Sequence, residues 1–485
     1  MKTDWNGKRV TIIGGARQGQ AAARWLARHG ATVTITDRRS AEQMAAARQS
    51  LADTPVTWVL GDHPVEILDT TDVLCLSGGV PLDNPLVVEA LKRGLSLTND
   101  TQVFMEVVPC PTVGITGSAG KTTTTALVGG MAKAAYRDES QMTKDQSSSP
   151  VLRPPLAFTG GNIGDPLLNY VDEMQPGDLA ILEISSFQLE QMTLSPDVAA
   201  ILNITPNHLD RHGTLEAYTA VKRRLLEFQD RDDIALLCRD DAGSWAERKS
   251  VRGRLVTFGV SPLPEGQDGT FLADGILHLR GRGVETSLLR RDQVQLRGNH
   301  NLMNVLAAFA IGFTANLPLD AMLEAAQDFR GVAHRLEFVR EWNGAQWYND
   351  SIATAPERTM AAIRSFDEPI ILLLGGRDKD LPWEDLVSLC RERVDHVVLF
   401  GEAAGKIAGI FGKQVPGREV GGHSNHQRLL TLERCKSLEE AVWAASRLAG
   451  SGDIILLSPG GTSFDEFRDF EERGERFRKW VSELL

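Results

Sequence analysis

Short apolar runs alternate with amphipathic segments along the whole chain, and the pattern restarts three times. The first start reads "RVTIIGG" (9–15), then the helical stretch "QAAARWLARHG" (20–30) closed by Gly30, then "TVTITD" (32–37). Brief apolar runs ended by glycine predict strands buried on both faces, and their alternation with helical periodicity predicts α/β layers with parallel sheets. The second start, "PTVGIT" (111–116), leads to the strands "DLAILEIS" (178–185) and "DVAAILNIT" (197–205), a β-rich stretch at 253–297 and the helix "HNLMNVLAAFAIGF" (300–313). The third carries "PIILLLGG" (369–376), "HVVLFG" (396–401) and "DIILLSPGG" (453–461). Three α/β domains are expected, with boundaries at 1–108, 109–331 and 332–485; the outer two are Rossmann-like. The segment 136–155, "YRDESQMTKDQSSSPVLRPP", is polar and fits neither period, so a mobile surface insertion is expected there.

A length of 485 residues accommodates three such domains. With 64 acidic against 52 basic residues the net charge is −12, which excludes a broad nucleic-acid-binding face. Anionic ligands must then be met by local groups. The five cysteines (Cys75, Cys110, Cys238, Cys390, Cys435) include no C-x-x-C pair, which argues against a disulfide framework or a zinc site. No apolar run is long enough to span a membrane, so neither a membrane partner nor a secreted location is expected, and the cytoplasm is the expected home.

The chemistry concentrates where strands end. "TGSAGKTTTT" (116–125) follows a strand and opens a helix, although the full Walker A spelling would place glycine where Ile115 stands. Backbone N–H groups over Gly117, Ser118, Ala119 and Gly120 can surround a phosphate, Lys121 adds a charge, and the hydroxyls of Thr122 and Thr123 open the helix. Against the bland alternative of a glycine-rich helix start, G-K-T at a strand-to-helix junction favours ATP, with Thr122 on Mg²⁺. Glu183 ends an apolar strand where parallel sheets meet ligands, and a carboxylate there suits Mg²⁺; a simple capping glutamate is the competing reading. His208, in "NITPNHLDRHGT" (203–214), ends the next strand, while Lys222 in "YTAVKRRLLEF" (218–228), taken alone, is a charge on a helix. "GGARQG" (14–19) followed by Asp37 invites a nicotinamide reading, but Ala16 stands where the fingerprint's middle glycine belongs. An NAD-dependent oxidoreductase would also leave Lys121 and the metal candidates unexplained.

The spelling T-G-x-x-G-K-T-T resembles that of the Mur ligases and their folylpolyglutamate synthase relatives. "GGNIG" (160–164), "EISSFQLE" (183–190), "NHLDRH" (207–212), "RGNHNLMNVLAA" (297–308), "AHRLE" (333–337), "YNDSIATAPE" (348–357), "LLLGGRDK" (372–379) and "LSPGGTSFDEFRDFEERGERF" (457–477) occur in the order of the Mur family, and the last is closest to its glutamate-adding branch. A folylpolyglutamate synthase would begin with its ATPase domain, whereas residues 1–108 precede the loop here. The resemblance implies a UDP-sugar domain, a central P-loop-type ATPase domain and a third domain for the amino acid. It implies ATP-dependent ligation of D-glutamate to UDP-N-acetylmuramoyl-L-alanine through an acyl phosphate, by a monomer, in peptidoglycan precursor synthesis. Ligation of L-glutamate, another Mur-type ligation, and a sensor that binds ATP and UDP-sugar without ligating are the alternatives.

Residue by residue, the resemblance places Asp37, Arg38, Arg39 and Gly79 of "SGGVP" (77–81) at the uridine end, with Asp37 accepting from the uracil imide. It places Asn162 and His208 on the UDP-sugar, and Asn304, Arg335 and Asp350 on the nucleotide. It makes Lys222 a carbamate that, with His208, holds a second Mg²⁺. Lys379 would meet a glutamate carboxylate, with Thr354, Ser463, Phe464 and Phe470 around it, and a hinge is expected near Ala333. One departure stands out: the family's N-D-S-K-A-T-N reads "NDSIATAP" (349–356) here, so Ile352 replaces a lysine. Arg377 is the expected compensating cation.

Overall fold

A computed structural model describes residues 4–142, 153–162, 164–412 and 428–484. The chain divides into two compact units, one of Met1–Gln295 with Asn299–Phe329 and the other of Leu296–Gly298 with Arg330–Leu485.

The first unit holds two sheets. β1 (Arg9–Ile13), β2 (Thr32–Asp37), β3 (Val56–Leu60), β4 (Val73–Leu76) and β5 (Ser96–Thr98) form a parallel sheet in the order β3-β2-β1-β4-β5. Strand order reverses at β1, so the turn after β1 and the loop after β4 flank the same crevice; there the Ser77 hydroxyl donates to the Gly14 carbonyl at 2.8 Å.

The second sheet is built from β6 (Thr112–Thr116), β7 (Ala157–Gly161), β8 (Leu179–Glu183), β9 (Val198–Ile201), β10 (Ile234–Cys238), β11 (Arg254–Phe258), β12 (Gly269–Ala273), β13 (Ile276–Gly281) and β14 (Val284–Arg290). Its order is β14-β13-β12-β11-β10-β9-β6-β8-β7, parallel except for the antiparallel β12-β13-β14 meander that accounts for the β-rich stretch. β6 lies between β8 and β9, with every residue of β6, β8 and β9 buried, so the phosphate-type loop leaves the sheet between the ends of its neighbours.

The helix after that loop runs from Lys121 to Met142 and takes in the first residues of the segment expected to be unpatterned. "YRDESQM" contains neither glycine nor proline and is rich in good helix formers, so the helix propagates beyond its apolar face. Residues 143–152 of the expected insertion lie outside the described residues, and just past them the Arg153 guanidinium donates to both oxygens of Asp178, at 2.7 and 2.5 Å.

The second unit is one sheet of β15 (Glu337–Trp342), β16 (Ala345–Asn349), β17 (Ile370–Gly375), β18 (His396–Phe400), β19 (Thr431–Arg434) and β20 (Ile454–Gly460), ordered β15-β16-β20-β17-β18-β19. Only β15 runs antiparallel to its neighbour. Helices cover both faces and bury two apolar clusters, one around Trp383 and the other around Trp347 and Phe477. The loops after β16, β20 and β17 therefore emerge side by side at one edge.

Among the described residues no helix is long and apolar enough to cross a membrane. All five cysteines are free, and four of them are buried.

Candidate active site

In the first unit the loop after β6 closes on itself and on the strand ends beside it. Gly120 adopts φ +83°, and a side chain there would strike the Asn304 amide oxygen at 2.2 Å, so the turn needs glycine and brings Asn304 against the loop. Asn203, at the end of β9, clamps the loop's middle: its side-chain oxygen accepts the Ala119 amide at 2.8 Å, its Nδ2 donates to the Ala119 carbonyl at 3.1 Å, and its backbone carbonyl accepts the Ser118 amide at 3.0 Å. The Ser118 hydroxyl donates to the Thr205 carbonyl at 2.9 Å. Two of the amides expected to face a phosphate are thus used internally. The amides from Gly120 onward, at the start of the helix where no intrahelical acceptor exists, are the ones that can face a phosphate.

The charged groups converge at the same edge. Glu183 is 2% exposed; it accepts from the Thr122 hydroxyl at 2.8 Å on one oxygen and from the Asn162 amide at 2.9 Å on the other. Thr122 and Glu183 place hard oxygens side by side, the donor type Mg²⁺ takes while keeping waters and phosphate oxygens for its other positions. The Lys121 ammonium donates to the Gly117 carbonyl at 2.9 Å. Thr123 is buried in the same first turn.

Lys222 is 1% exposed, and its Nζ donates to the same Gly117 carbonyl at 3.0 Å and to the Thr116 hydroxyl at 3.3 Å, lying over the Tyr218 ring. Burial first, and the Lys121 cation second, drive its ammonium well below the usual lysine range. Helical spacing alone made this lysine a surface charge; the structure places it at the phosphate loop.

His208 sits in the left-handed region, φ 51°, its ring 5.1 Å from that of Phe187. Four residues on, His212 was assigned nothing from the sequence, yet it is walled between Phe187 and Tyr218, bonds the Ser186 hydroxyl at 3.1 Å and faces Glu190 at 3.5 Å. Burial lowers its pKa. Arg211 pairs with Glu190 at 2.8 Å and donates to the Val80 carbonyl, tying this segment to the loop after β4.

At the other crevice of this unit, Asp37 differs from expectation. One oxygen accepts the Arg39 amide and Nε at 3.0 and 2.9 Å, and the other accepts the Gly15 amide at 2.9 Å and the Arg39 guanidinium at 2.7 Å. Burial opposes its charge, but these bonds outweigh it and hold the carboxyl below its ordinary range. A carboxylate has about four acceptor positions, and here the chain itself fills them, so Asp37 braces the turn after β1. Arg38, next in sequence, and Gly79, in the loop after β4, are exposed.

In the second unit, Asp350 follows β16. Its oxygens accept the Leu336 amide at 3.2 Å and the Ser458 hydroxyl at 2.8 Å, and burial pushes its pKa up to about 7 against those bonds and the Arg335 and Arg358 cations. Arg473, 0% exposed, donates to the Ser351 hydroxyl (3.0 Å), the Ser351 carbonyl (2.8 Å) and the Gly461 carbonyl (3.1 Å), joining the loops after β16 and β20. Its spacing with Phe470, Phe477 and Val481 on one helical face was the available signal. The Phe470 carbonyl accepts the Ser351 hydroxyl at 2.8 Å, its ring meets His334 edge-on, and Ser463 is buried nearby in sequence while Phe464 is 60% exposed.

Thr354 is partly buried in the loop after β16. Lys379 makes no hydrogen bond or ion pair among the described residues, and its pKa is lowered by burial, then by Arg358 and Arg473. Arg377, expected to answer the missing lysine at 352, pairs with Glu402 at 2.8 Å on the surface. Arg358, unassigned from sequence, reaches the Ile352 carbonyl at 3.3 Å.

Known proteins resemble the chain over its length. Three family profiles match: the Mur ligase MurD-like N-terminal domain over 8–99, the Mur ligase middle domain over 115–312, and the Mur ligase glutamate ligase domain over 334–461. The UDP-N-acetylmuramoylalanine--D-glutamate ligases of Symbiobacterium thermophilum and Salinibacter ruber are 36% and 37% identical over 477 and 484 residues, each alignment covering 98% of both chains. Among solved structures, the UDP-N-acetylmuramate-alanine ligase of Thermotoga maritima matches with a TM-score of 0.54 at 18% identity, over 98% of this chain and 99% of that one. The MurF ligase of Thermotoga maritima in complex with ADP matches with a TM-score of 0.51 at 16% identity, over 99% and 96%. At such identities the solved structures speak for the fold alone, whereas the full-length relatives decide the family: this chain belongs to the Mur ligases.

Proposed function

We propose that the chain ligates D-glutamate to UDP-N-acetylmuramoyl-L-alanine at the expense of ATP, giving ADP and phosphate in peptidoglycan precursor synthesis. The carrying observation is full-length similarity to D-glutamate ligases in a chain whose Lys121, Thr122, Glu183 and Lys222 converge at one strand edge. A carboxylate is a poor electrophile, so the acceptor's L-alanine carboxylate attacks the γ-phosphorus and becomes an acyl phosphate as ADP leaves. The amine of glutamate then attacks that carbonyl, phosphate departs and a proton is released. Nothing in this route needs a protein nucleophile. Lys121 and the first helical amides meet the phosphate oxygens and align the transferred group.

Thr122 and Glu183 would hold one Mg²⁺ ion, and His208 with a carbamylated Lys222 a second; when bound they would neutralise charge spread over the phosphoryl oxygens. Two features support the carbamate. The amine is buried at the loop, and burial together with the Lys121 cation lowers its pKa, which favours the neutral form that adds to CO₂ with loss of a proton. Asn162 and His208 are read as holding the UDP-sugar, with Arg38, Arg39 and Gly79 at its uridine end and Asp37 shaping that turn. Asn304, Arg335 and Asp350 are read as nucleotide-binding residues. Lys379, Thr354, Ser463, Phe464 and Phe470 are read as the glutamate site. ATP and UDP-linked acceptors are cytoplasmic metabolites, and we place the enzyme there, as a monomer.

Phosphate release across a panel of UDP-muramoyl acceptors and amino acids tests the reading. Release should require UDP-N-acetylmuramoyl-L-alanine and D-glutamate together. Equal or better turnover with L-glutamate would move the assignment to the other isomer, the alternative that Ile352 keeps open, and ATP hydrolysis indifferent to either substrate would sink it.

A further inference from the structure

Ile352 removes a cation from the loop after β16, and the structure shows which side chain stands over that loop. The helix Pro356–Ile363 starts immediately after it, and Arg358, in its first turn, donates from its guanidinium to the Ile352 carbonyl at 3.3 Å. That neutral carbonyl is the only side-chain hydrogen-bond partner of Arg358 among the described residues; Asp350, its acidic neighbour, is not bonded to it and is itself raised by burial to a pKa of about 7.

The neighbouring side chains fix where this guanidinium stands. Thr359, next in the helix, is fully buried and donates to the Ser458 carbonyl at 3.1 Å, which locks the helix start to the end of β20. A Cβ on Gly460 would lie 3.3 Å from the Thr359 hydroxyl and 2.8 Å from the Trp383 ring, so the helix start, the end of β20 and Trp383 meet at one point. Trp383 in turn donates from its indole to Asp378 at 2.9 Å, which pins the loop that carries Lys379. Lys379 likewise makes no hydrogen bond or ion pair among the described residues, and its pKa is lowered by burial first and then by the Arg358 and Arg473 cations. Arg473 spends its bonds on Ser351 and the Gly461 carbonyl, none of them a carboxylate. Arg377, by contrast, already has Glu402.

We propose that Arg358 supplies the cation missing at position 352 and, with Lys379, pairs the carboxylates of the incoming glutamate. The assignment rests on the ligase reading above. It adds a consequence for selection: a guanidinium fork matches a carboxylate in two parallel bonds and pairs poorly with an amide, so Arg358 favours glutamate over glutamine.

Steady-state phosphate release with saturating ATP and UDP-N-acetylmuramoyl-L-alanine tests it, using Arg358→Ala, Arg358→Lys and the double variant Arg358→Ala/Ile352→Lys, with thermal melting as a folding control. A charge-assisted hydrogen bond of ordinary strength predicts that Arg358→Ala raises the glutamate KM about 10- to 100-fold. The ATP KM should stay put. Arg358→Lys should recover part of the loss, and the relocated cation of the double variant should recover most of it. An unchanged glutamate KM in Arg358→Ala, a loss confined to kcat, or a double variant no better than Arg358→Ala would overturn the assignment. A wild-type enzyme without glutamate-dependent release would overturn the ligase reading and this one with it, whereas an active wild type with an indifferent Arg358→Ala removes Arg358 alone.

Discussion

The strand ends of the two units hold opposite electrostatic conditions. At the edge of β6 and β8 each charge already has an internal partner: Glu183 takes Thr122 and Asn162, while Lys121 and Lys222 share the Gly117 carbonyl. At the edge of β16, β20 and β17 the cations Lys379, Arg358 and Arg473 make no hydrogen bond or close ion pair with a carboxylate among the described residues; Asp350, raised by burial to a pKa of about 7, is the acidic neighbour of Arg358 and Arg473, and Asp465 and Glu466 also act on Arg473 through space. The first edge is a cradle whose geometry is set before any ligand arrives, which suits phosphoryl transfer, where positioning and fixed charge do the catalysis. The second gathers cations that no carboxylate bonds directly, and an anionic ligand there would relieve the repulsion between them. One edge is built to act, the other to attract.

The largest effect should come from the cradle. Lys121→Ala removes the charge read as meeting the β- and γ-phosphates and should lower turnover by about three orders of magnitude or more. UDP-sugar binding, read mainly at the β1 and β4 crevice, should remain nearly intact by calorimetry. Near-wild-type ATP-dependent turnover would remove the distinction between the edges.

Lys222→Ala should be almost as damaging, and it separates a carbamate from a plain ammonium. If the side chain serves as an oxygen ligand, short carboxylic acids added to the variant should restore part of the activity by supplying that oxygen. Rescue by alkylamines but not by carboxylates would make Lys222 a cation after all.

A smaller effect is expected at the second edge. Lys379→Ala should raise the glutamate KM about 10- to 100-fold and leave the ATP KM within error, because a carboxylate partner is lost and the phosphate cradle is untouched. Equal losses for glutamate and ATP would mean that the two edges do not divide the substrates as described.

The two edges also differ in how far they could be read from the chain. The phosphate loop is contiguous, Gly117 to Thr123, and the glycine turn between strand and helix carries its own physics. Glu183 was legible because an apolar strand ended in a carboxylate. Asn203 was not, since its grip on Ser118 and Ala119 depends on β9 lying beside β6, a neighbour relation that no local pattern states. Lys222 needed the family resemblance, because a lysine at helical spacing reads as a solvated charge. Asp37 was read as an open acceptor because nothing in "TVTITDRR" shows that Arg39 folds back on it. At the second edge three separate loops contribute, so Arg358 and Arg473 looked like ordinary helix charges, and the compensating cation was sought at Arg377, close in sequence to Lys379 but turned toward Glu402. The helix reaching Met142 is the converse case, where propensity carried on after the apolar pattern had stopped.

The smallest effect concerns stability and sharpens the contrast in charge. Asp350 is buried with its pKa raised to about 7, from the 3.8 of an ordinary aspartate, which stands for the unfolded chain. Between those values the folded protein holds a proton that the unfolded chain has released. Stability therefore falls as pH rises through that window, and the penalty is complete above pH 7, up to about 4 kcal/mol if the whole shift is expressed. Asp350→Asn removes the titration while keeping a side-chain oxygen for the Leu336 amide and a nitrogen that can donate to the Ser458 hydroxyl. Melting at pH 5.5 and pH 8.5 should then show the variant gaining on the wild type at the higher pH, by a few degrees for a unit of this size. Asp100, buried in the first unit and also raised to about 7, titrates in both proteins and cancels from the comparison. An identical Tm difference at the two pH values would mean that Asp350 is already ionised at pH 5.5 and neutralises cations at the second edge, which would erase the contrast drawn between the two edges.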